Sequence, residues 1–312
     1  LKNNQVSYSS KYFEWSKYIL KEYVMNDYKF LPEVANQFIK YNKGFKGIEF
    51  DEKILDKLRG SKQLSGKELT KYRGNFLNDL LYKQNKSYKF LGTSNGVSAV
   101  NVVSGGNGTV GPYAGGWQTN AMKNRLGMLL PDTLHVTPEE PAKCAEEINN
   151  HLERADQIQY INKINNNLDE NVNYYDIALL ADMEQGWNTP EKIRISVKKA
   201  IENGINVIHI EDQGEKKRCG HLGDKELNTY EDYSLILRSA NLAAQEILGK
   251  EQAVKQWVRF VARTDAYSAK RIVNSSNLYD KKNDEYKFID WERGPSEDGK
   301  YLYLKEGINP ET

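Results

Sequence analysis

The stretch VIHIEDQGEKKRCGHLGDK, Val207–Lys225, decides the fold class of this chain and carries much of its chemistry. It continues an apolar run, Ile205–Ile210, which predicts a buried strand of a parallel sheet. Two carboxylates, Glu211 and Asp212, follow the run directly. Because functional residues collect at the carboxyl ends of parallel strands, the stretch predicts an α/β fold with a site at this strand end.

The polar loop after this strand carries a thiol among positive charges. Lys216, Lys217 and Arg218 directly precede Cys219, and His221 follows it by two residues. Cations stabilise a thiolate relative to a thiol, so the sequence predicts a pKa for Cys219 below the usual value of about 8.5. Three glycines within the loop predict a movable backbone. A thiol of this kind on a movable loop indicates an active site.

Two further strands are predicted to end in charged residues. The apolar run Ile177–Ala181 predicts a buried strand, and Asp182 and Glu184 at its exit share one side if the strand continues. A helix is predicted to begin at Thr189 and to lead to the strand at Ile205. The first strand, this helix and the second strand together have the length of one βαβ unit. Another strand is predicted to lead into Arg263, whose guanidinium suits two-point binding of a carboxylate.

Composition excludes several classes of partner. The chain of 312 residues has 44 basic and 43 acidic residues, so its charge gives no reason to expect nucleic acid or an anionic membrane as a partner. No apolar run approaches 18 residues, the length of a membrane span. The only cysteines, Cys144 and Cys219, suit a reducing compartment, and we expect a cytoplasmic protein.

The motif Lys217–Gly223, KRCGHLG, resembles the signature loop of the isocitrate lyase family, which usually reads KKCGH followed by Met or Leu. The preceding Glu211-Asp212-Gln213 fits the same family. Four further segments resemble family motifs in the same order along the chain: Gly115–Gln118, Leu129–Asp132, Ala181–Gly186 and Ala262–Ala266.

The resemblance implies a (β/α)₈ TIM-type barrel preceded by a helical N-terminal extension. We expect the extension at residues 1–95 and an incomplete barrel at residues 96–312, because the C-terminal barrel strands of the family are absent from this chain. The family's further glutamate and its Ser-Pro-Ser-Phe-Asn-like segment are absent as well. We therefore expect residues 1–312 alone to be incomplete and inactive. The resemblance also implies a homotetramer.

The activity implied by the resemblance is the Mg²⁺-dependent retro-aldol cleavage of isocitrate to glyoxylate and succinate, a reaction of the glyoxylate cycle, with Mn²⁺ as an alternative metal. The residues assigned to it by their positions in the motifs fall into three groups. The catalytic residues would be Cys219, His221 and His209. The substrate-binding residues would be Gly115, Gly116, Trp117, Gly220 and Arg263. The metal site would comprise Asp132, Asp182, Glu184 and Glu211, hard oxygen donors of the kind that Mg²⁺ prefers.

Two alternatives stay open at this stage. A 2-methylisocitrate lyase would use the same metal and thiol, and Arg218 favours it because that family also has Lys-Arg-Cys-Gly-His. A catalytically inactive fragment or pseudoenzyme of the same fold would serve only in assembly, and the missing strands favour it. A peroxisomal or glyoxysomal location is a further possibility for a eukaryotic protein.

Overall fold

A computed structural model describes residues 60–62, 64–123, 136–166, 172–215, 217–220, 222–266, 269–274, 281–282 and 286–305. The chain divides into two units, Leu1–Leu58 and Arg59–Thr312, and every described residue belongs to the second. Within these ranges, no helix has both the length and the apolar character needed to cross a membrane.

The described strands and helices alternate along most of the chain. In chain order, the strands are β1 (Lys89–Gly92), β2 (Val110–Ala114), β3 (Leu180–Asp182), β4 (Val207–Glu211), β5 (Lys225–Leu227), β6 (Arg259–Arg263), β7 (Ala269–Val273) and β8 (Tyr301–Tyr303). The α-helices are α1 (Gly66–Asn78), α2 (Gly96–Gly106), α3 (Gly116–Lys123), α4 (Glu140–Asn166), α5 (Pro190–Glu202), α6 (Tyr230–Leu248) and α7 (Glu251–Trp257). A π-helical turn, Asp79–Lys83, follows α1, and a 3₁₀ turn, Gly186–Asn188, precedes α5.

The main sheet has the strand order β1-β2-β3-β4-β6, and all of its neighbours are parallel. Helices connect these strands, which therefore succeed one another across the sheet without a reversal of direction. A doubly wound sheet reverses its order at a switch point, whereas a (β/α)₈ barrel adds each strand beside the previous one. The chain is thus an α/β protein with the strand succession of an incomplete barrel. The remaining strands form a separate three-stranded sheet of order β5-β7-β8.

The apolar runs that predicted strands lie in the hydrophobic core. All five residues of β4 are buried, as expected for a strand covered on both faces. Its Ile208 and Ile210 pack in one cluster with side chains of α5 and α6, including Ile193 and Ala240. A smaller cluster around Ile289 supports the second sheet.

Helix starts follow the sequence signals with one difference. The side chain of Thr229 caps α6 by accepting a hydrogen bond of 3.0 Å from the N–H of Asp232. Thr189 stands at the predicted cap of α5, with Pro190 as the first helical residue, but its side chain makes no capping hydrogen bond. The fixed φ of proline suffices to begin this helix.

The region predicted as a helical extension lies largely outside the described residues. Its described part contains α1 and the following π-helical turn, but also strand β1, which is extended because it pairs with β2 from Lys89 to Gly92. The next segment, the β-branched run 97–103, is helical within α2, where Asn95 provides a capping box with Ser98. The predicted division of the chain after residue 95 stays a prediction.

Candidate active site

The carboxyl ends of β3 and β4 bring Asp182 and His209 side by side. The two residues are register partners in the sheet, and His209 Nδ1 lies 3.3 Å from Asp182 Oδ1. Asp182 Oδ2 also accepts hydrogen bonds of 3.0 Å from the Tyr113 hydroxyl and from the N–H of Gly116. Burial alone would raise the pKa of Asp182, but His209, the Lys217 ammonium and the Gly116 N–H outweigh it and hold this pKa well below its usual range.

Glu184 follows β3 in a left-handed backbone conformation, with a φ of 52°. Its N–H donates a hydrogen bond of 2.8 Å to Asp182 Oδ1, which stabilises this tight turn. Its fully buried side chain receives an N–H of Asn120 at 3.3 Å on Oε1. The turn thus directs both predicted carboxylates of this strand into the interior at the strand end.

A lysine of the cysteine loop enters this carboxylate group. Lys217 Nζ contacts Glu184 Oε2 and lies 3.3 Å from Glu211 Oε1. The side chains of all three residues are at most 1 % exposed. Burial raises the pKa of Glu211 to about 8, opposed by Lys217 and Arg263 and reinforced by the neighbouring carboxylates.

Arg263, at the end of β6, forms the opposite side of the group. It is the register partner of Glu211, and its Nη1 lies 3.4 Å from Glu211 Oε2. Its Nε and Nη2 donate to Asp265 Oδ1 at 3.1 and 2.8 Å. About a third of its side chain, 32 %, stays exposed, so the guanidinium keeps an accessible edge. Both a structural ion pair and a carboxylate-binding role are compatible with this geometry.

The loop that carries Cys219 is held at two points. Gln213 accepts a hydrogen bond of 2.8 Å from the N–H of Arg218 and donates one of 2.9 Å to its carbonyl. The buried Lys225 donates from Nζ to the carbonyl of Gly220 at 2.7 Å. Cys219 therefore lies on a short segment whose backbone is anchored on both sides.

The two cysteines have different surroundings. Cys219 is partly exposed on this anchored segment. The Lys217 charge, counted in the sequence argument as a neighbour of the thiol, is directed into Glu184 and Glu211 instead. Cys144 lies in α4, where burial, reinforced by Glu147, raises the pKa of its thiol to about 11. The sequence alone predicts an ordinary thiol at Cys144, because only Lys143 is a charged neighbour, and the buried position contradicts that prediction.

The other predicted site residues are only partly brought together. Gly115 lies between β2 and α3, Gly116 is the first residue of α3, and the Gly116 N–H is already engaged by Asp182. Trp117 is 51 % exposed. Asp132 and His221 lie outside the described residues, and the structure gives them no position.

Comparison with known proteins was made by sequence and by structure. No family model matches the chain. The chain is 31 % identical over 242 residues to an isocitrate lyase of Halalkalibacterium halodurans, covering 74 % of this chain and 52 % of that protein. It is 35 % identical over 170 residues to isocitrate lyase of Salmonella typhimurium, covering 54 % and 37 %. A bifunctional glyoxylate cycle protein of Caenorhabditis elegans is 32 % identical over 260 residues, covering 82 % and 25 %.

The chain belongs to the isocitrate lyase family. It spans about half the length of the first of these relatives and less of the others. Among solved structures, oxaloacetate acetylhydrolase in complex with 3,3-difluorooxalacetate has a TM-score of 0.48 at 26 % identity, with 63 % of this chain and 55 % of that chain covered. A 2,3-dimethylmalate lyase has a TM-score of 0.47 at 23 % identity, with 66 % and 55 % covered.

Two of the carboxylates expected to form a metal site contact a lysine of the chain itself. Asp182, Glu184 and Glu211 are hard oxygen donors at neighbouring strand ends, which is the donor chemistry that Mg²⁺ prefers. Across the described ranges, however, no group of three or more His, Cys, Asp or Glu residues has the arrangement of a metal site. Lys217 lies between Glu184 and Glu211. The donors fit the metal chemically, and their present arrangement holds an ammonium.

Sequence reasoning missed several residues of this family member's site. Tyr113 and Asn120 contact the predicted carboxylates from β2 and α3, but neither residue belongs to a motif with an obvious chemical signal. Asp265 and Gln213 do stand within the segments that resemble the family, and their hydrogen bond of 2.6 Å joins the end of β6 to the cysteine loop. Their polar character beside two strand ends was the available signal.

Proposed function

We propose that this chain carries the catalytic centre of a carbon–carbon lyase that cleaves isocitrate to glyoxylate and succinate. One observation carries the proposal: the cysteine loop, the arginine and the carboxylates form one connected group at the strand ends. Gly220, next to Cys219, packs against the guanidinium of Arg263, which reaches Glu211 in turn. The named isocitrate lyases among the relatives support the same reaction class.

Asp182, Glu184 and Glu211 would hold a divalent cation, with Mg²⁺ preferred and Mn²⁺ as an alternative, directly or through water. Such an ion supplies Lewis-acid polarisation of the hydroxyl and carboxylate oxygens of the substrate. Asp132 remains a proposed member of this set from its motif. The low pKa of Asp182 keeps that carboxylate charged across the physiological range, whereas Glu211, with a pKa of about 8, would release its proton on binding the cation.

The protein side chains would bind the substrate and move its protons. The exposed edge of Arg263 would bind one substrate carboxylate, and the glycine backbone at Gly115 and Gly116 would approach another. A carboxylate of the site would take the proton of the C2 hydroxyl. The C2–C3 bond would then break, with its electron pair left on C3, to yield glyoxylate and a succinate carbanion. Cys219 would donate its Sγ proton to that carbanion at C3, which completes succinate, and the proton taken up by the carboxylate would then return through solvent to restore the thiol.

The remaining predicted residues would support these steps. His209 lies beside Asp182 and is positioned to orient it, while His221 is proposed from its place in the signature loop. Trp117 would line the approach to the glycine backbone. Closure of the cysteine loop over the substrate would exclude water from the carbanion. A homotetramer in the cytoplasm is the assembly and location proposed from the family.

The product of the reaction decides between the proposed activities. The full chain is incubated with isocitrate or with 2-methylisocitrate and Mg²⁺, and the products are identified by mass spectrometry. Cleavage at the same bond yields glyoxylate from isocitrate and pyruvate from 2-methylisocitrate, with succinate common to both. Preferential glyoxylate formation supports the proposal, and preferential pyruvate formation favours 2-methylisocitrate lyase.

Absence of turnover with either substrate would favour the inactive fragment. In an active preparation, Cys219→Ser should lower turnover by about 10²-fold or more, the effect of losing a general acid. Cys144→Ser, in helix α4, is the matched control and should retain turnover.

A further inference from the structure

A cavity of about 400 Å³ lies between the start of α6 and the second sheet. Of the residues that the structure describes around it, none belongs to the predicted catalytic, substrate-binding or metal-binding groups. Leu235 and Ile236 of α6 and Val273 of β7 give the cavity an apolar face. This volume, combined with an apolar face and a few polar groups, is typical of a site for a small molecule.

Hydrogen bonds between asparagine side chains hold one wall of the cavity in place. Asn228, after β5, donates from Nδ2 to Oδ1 of Asn188 at 2.7 Å and to the carbonyl of Gln213 at 2.8 Å. Asn188 has a left-handed backbone, with a φ of 51°, a conformation in which asparagine is enriched. Because an asparagine side chain both donates and accepts hydrogen bonds, this fixed wall suits a ligand with charges of both signs.

Two carboxylates and one ammonium group line the cavity. Glu215 follows β4, Asp232 lies in the first turn of α6, and Lys300 directly precedes β8. Within the described ranges none of these three residues forms an ion pair. Asp232 accepts a hydrogen bond of 2.8 Å from the Thr229 hydroxyl at Oδ2, which leaves its Oδ1 for a ligand. The cavity therefore offers both charges to a bound molecule, with acidic groups in excess.

We propose that this cavity binds an α-amino acid with an aliphatic side chain. The ammonium group of such a molecule would bind Glu215 and Asp232, its carboxylate would bind Lys300, and its side chain would cover the apolar face. A dicarboxylate such as succinate would instead bring like charge to Glu215 and Asp232, which disfavours it. The cavity is thus distinct in its chemistry from the arginine-containing site at the strand ends, and this inference does not depend on the proposed function.

Binding is measured on the full chain with L-leucine as the probe, by saturation-transfer nuclear magnetic resonance of its methyl groups. A small ligand with two charges and an aliphatic side chain should bind with a Kd of about 1 mM or tighter. Two analogues each lack one charge: 3-methylbutylamine has no carboxylate and 4-methylpentanoate has no amine. Compared with L-leucine, we expect binding to weaken by about 10-fold for 3-methylbutylamine and by about 100-fold for 4-methylpentanoate, which keeps only the charge that the acidic groups repel.

Substitutions at the cavity test the two charge contacts. Glu215→Gln and Lys300→Met each remove one exposed charge and should weaken L-leucine binding by about 10-fold. The matched controls are Glu146→Gln in α4 and Lys67→Met in α1, which remove equally exposed charges outside the cavity. Each control should alter binding by less than about 2-fold.

A third substitution tests the location of the ligand by filling the cavity. Leu235 is 50 % exposed, so Leu235→Trp should be tolerated by the fold while its indole occupies the apolar face and weakens L-leucine binding by about 10-fold or more. Leu242→Trp, at a position 52 % exposed on the same helix but outside the cavity, is the matched control and should leave binding unchanged. Thermal unfolding confirms that each variant is folded before it is titrated.

The comparison of the three ligands uses only the wild-type chain, so it holds even if a variant fails to fold. No binding of L-leucine at about 10 mM to the folded wild-type chain would overturn the proposal. Equal binding of L-leucine and either analogue would overturn the amino-acid class, and unchanged binding in Leu235→Trp would place the ligand elsewhere. None of these measurements involves turnover, so a negative result would leave the proposed function standing.

Discussion

Gly220 and Arg263 are in direct contact: a Cβ atom added at Gly220 would lie 2.0 Å from Nη2 of Arg263. The arginine cannot simply swing away, because Asp265 and Glu211 hold its guanidinium. The cysteine loop and the carboxylate group therefore fit together only when residue 220 lacks a side chain.

Gly220→Ala should lower kcat/KM by about 10-fold to 100-fold, because it displaces either the loop or the guanidinium by a fraction of an ångström or more. Gly223→Ala is the matched control in the same loop, since within the described part of the chain, its two sequence neighbours aside, no heavy atom lies within 4 Å of its added Cβ. Steady-state kinetics of both variants checks this. Equal rates for the two alanine variants would contradict the contact.

Asp182→Asn tests the charged hydrogen bonds at the end of β3. An amide cannot accept from Tyr113, Gly116 and Glu184 as the carboxylate does, so the free energy of unfolding should fall by about 1–3 kcal/mol at pH 7. Asp182→Ala, which the sequence alone predicts to leave the fold intact, should destabilise further. The exposed Asp224→Asn should change the unfolding free energy little. Urea titration measures all three.

The destabilisation caused by Asp182→Asn should depend on pH in a definite direction. The pKa of Asp182 is lowered in the folded chain, so its charge stabilises the fold above the unfolded value of about 3.9 and this contribution is lost as the pH falls further. The difference in unfolding free energy between wild type and Asp182→Asn should stay level from pH 7 to pH 5 and shrink below about pH 4. A difference that grows toward acid would contradict the lowered pKa.

Gln213→Leu keeps the size of the side chain and removes its hydrogen bonds to Arg218 and Asp265. We expect a loss of about 1–3 kcal/mol in unfolding free energy and faster hydrogen exchange at the Arg218 amide. The exposed Gln256→Leu serves as the control for the chemical change. Unaltered exchange at Arg218 would show that Gln213 does not hold the loop.

The thiols should differ in reactivity. With a pKa of about 11, only about one Cys144 thiol in 10³ is ionised at pH 8, so iodoacetamide should modify Cys219 first. The rate at Cys144 should rise about tenfold per pH unit up to pH 10. Peptide mass spectrometry of timed samples measures both rates. Comparable labelling of Cys144 at neutral pH would contradict its burial.

The sequence predicted the strands that carry the site, because their signals are local. Continuous apolar runs required burial on both faces, and the charged residues after them had to lie at the strand ends. The predicted strand ending near Ala181 and the observed β3 differ by only a few residues. Helix α5 begins at Pro190, directly after Thr189, where the sequence predicted a helix start.

Long-range contacts were beyond the local signals. The contacts of Lys217 with Glu184 and Glu211 depend on where Gln213 holds the neighbouring backbone and on the distance between β3 and β4. The spacing of residues in the loop predicts neither. The run 97–103 is rich in valine and yet helical, since packing of α2 against α4 and the capping box at Asn95 outweigh the β propensity of valine.

Glu184 keeps a long side chain on a backbone conformation that glycine or asparagine adopts more readily. Such a conformation costs on the order of 1 kcal/mol, and a carboxylate buried beside others adds to the cost. A population of variants selected only for abundance should therefore accumulate glycine or asparagine at position 184, whereas growth that depends on the reaction should retain glutamate. The residue frequencies at this one position would distinguish a lineage that still needs catalysis from one that needs only a folded chain.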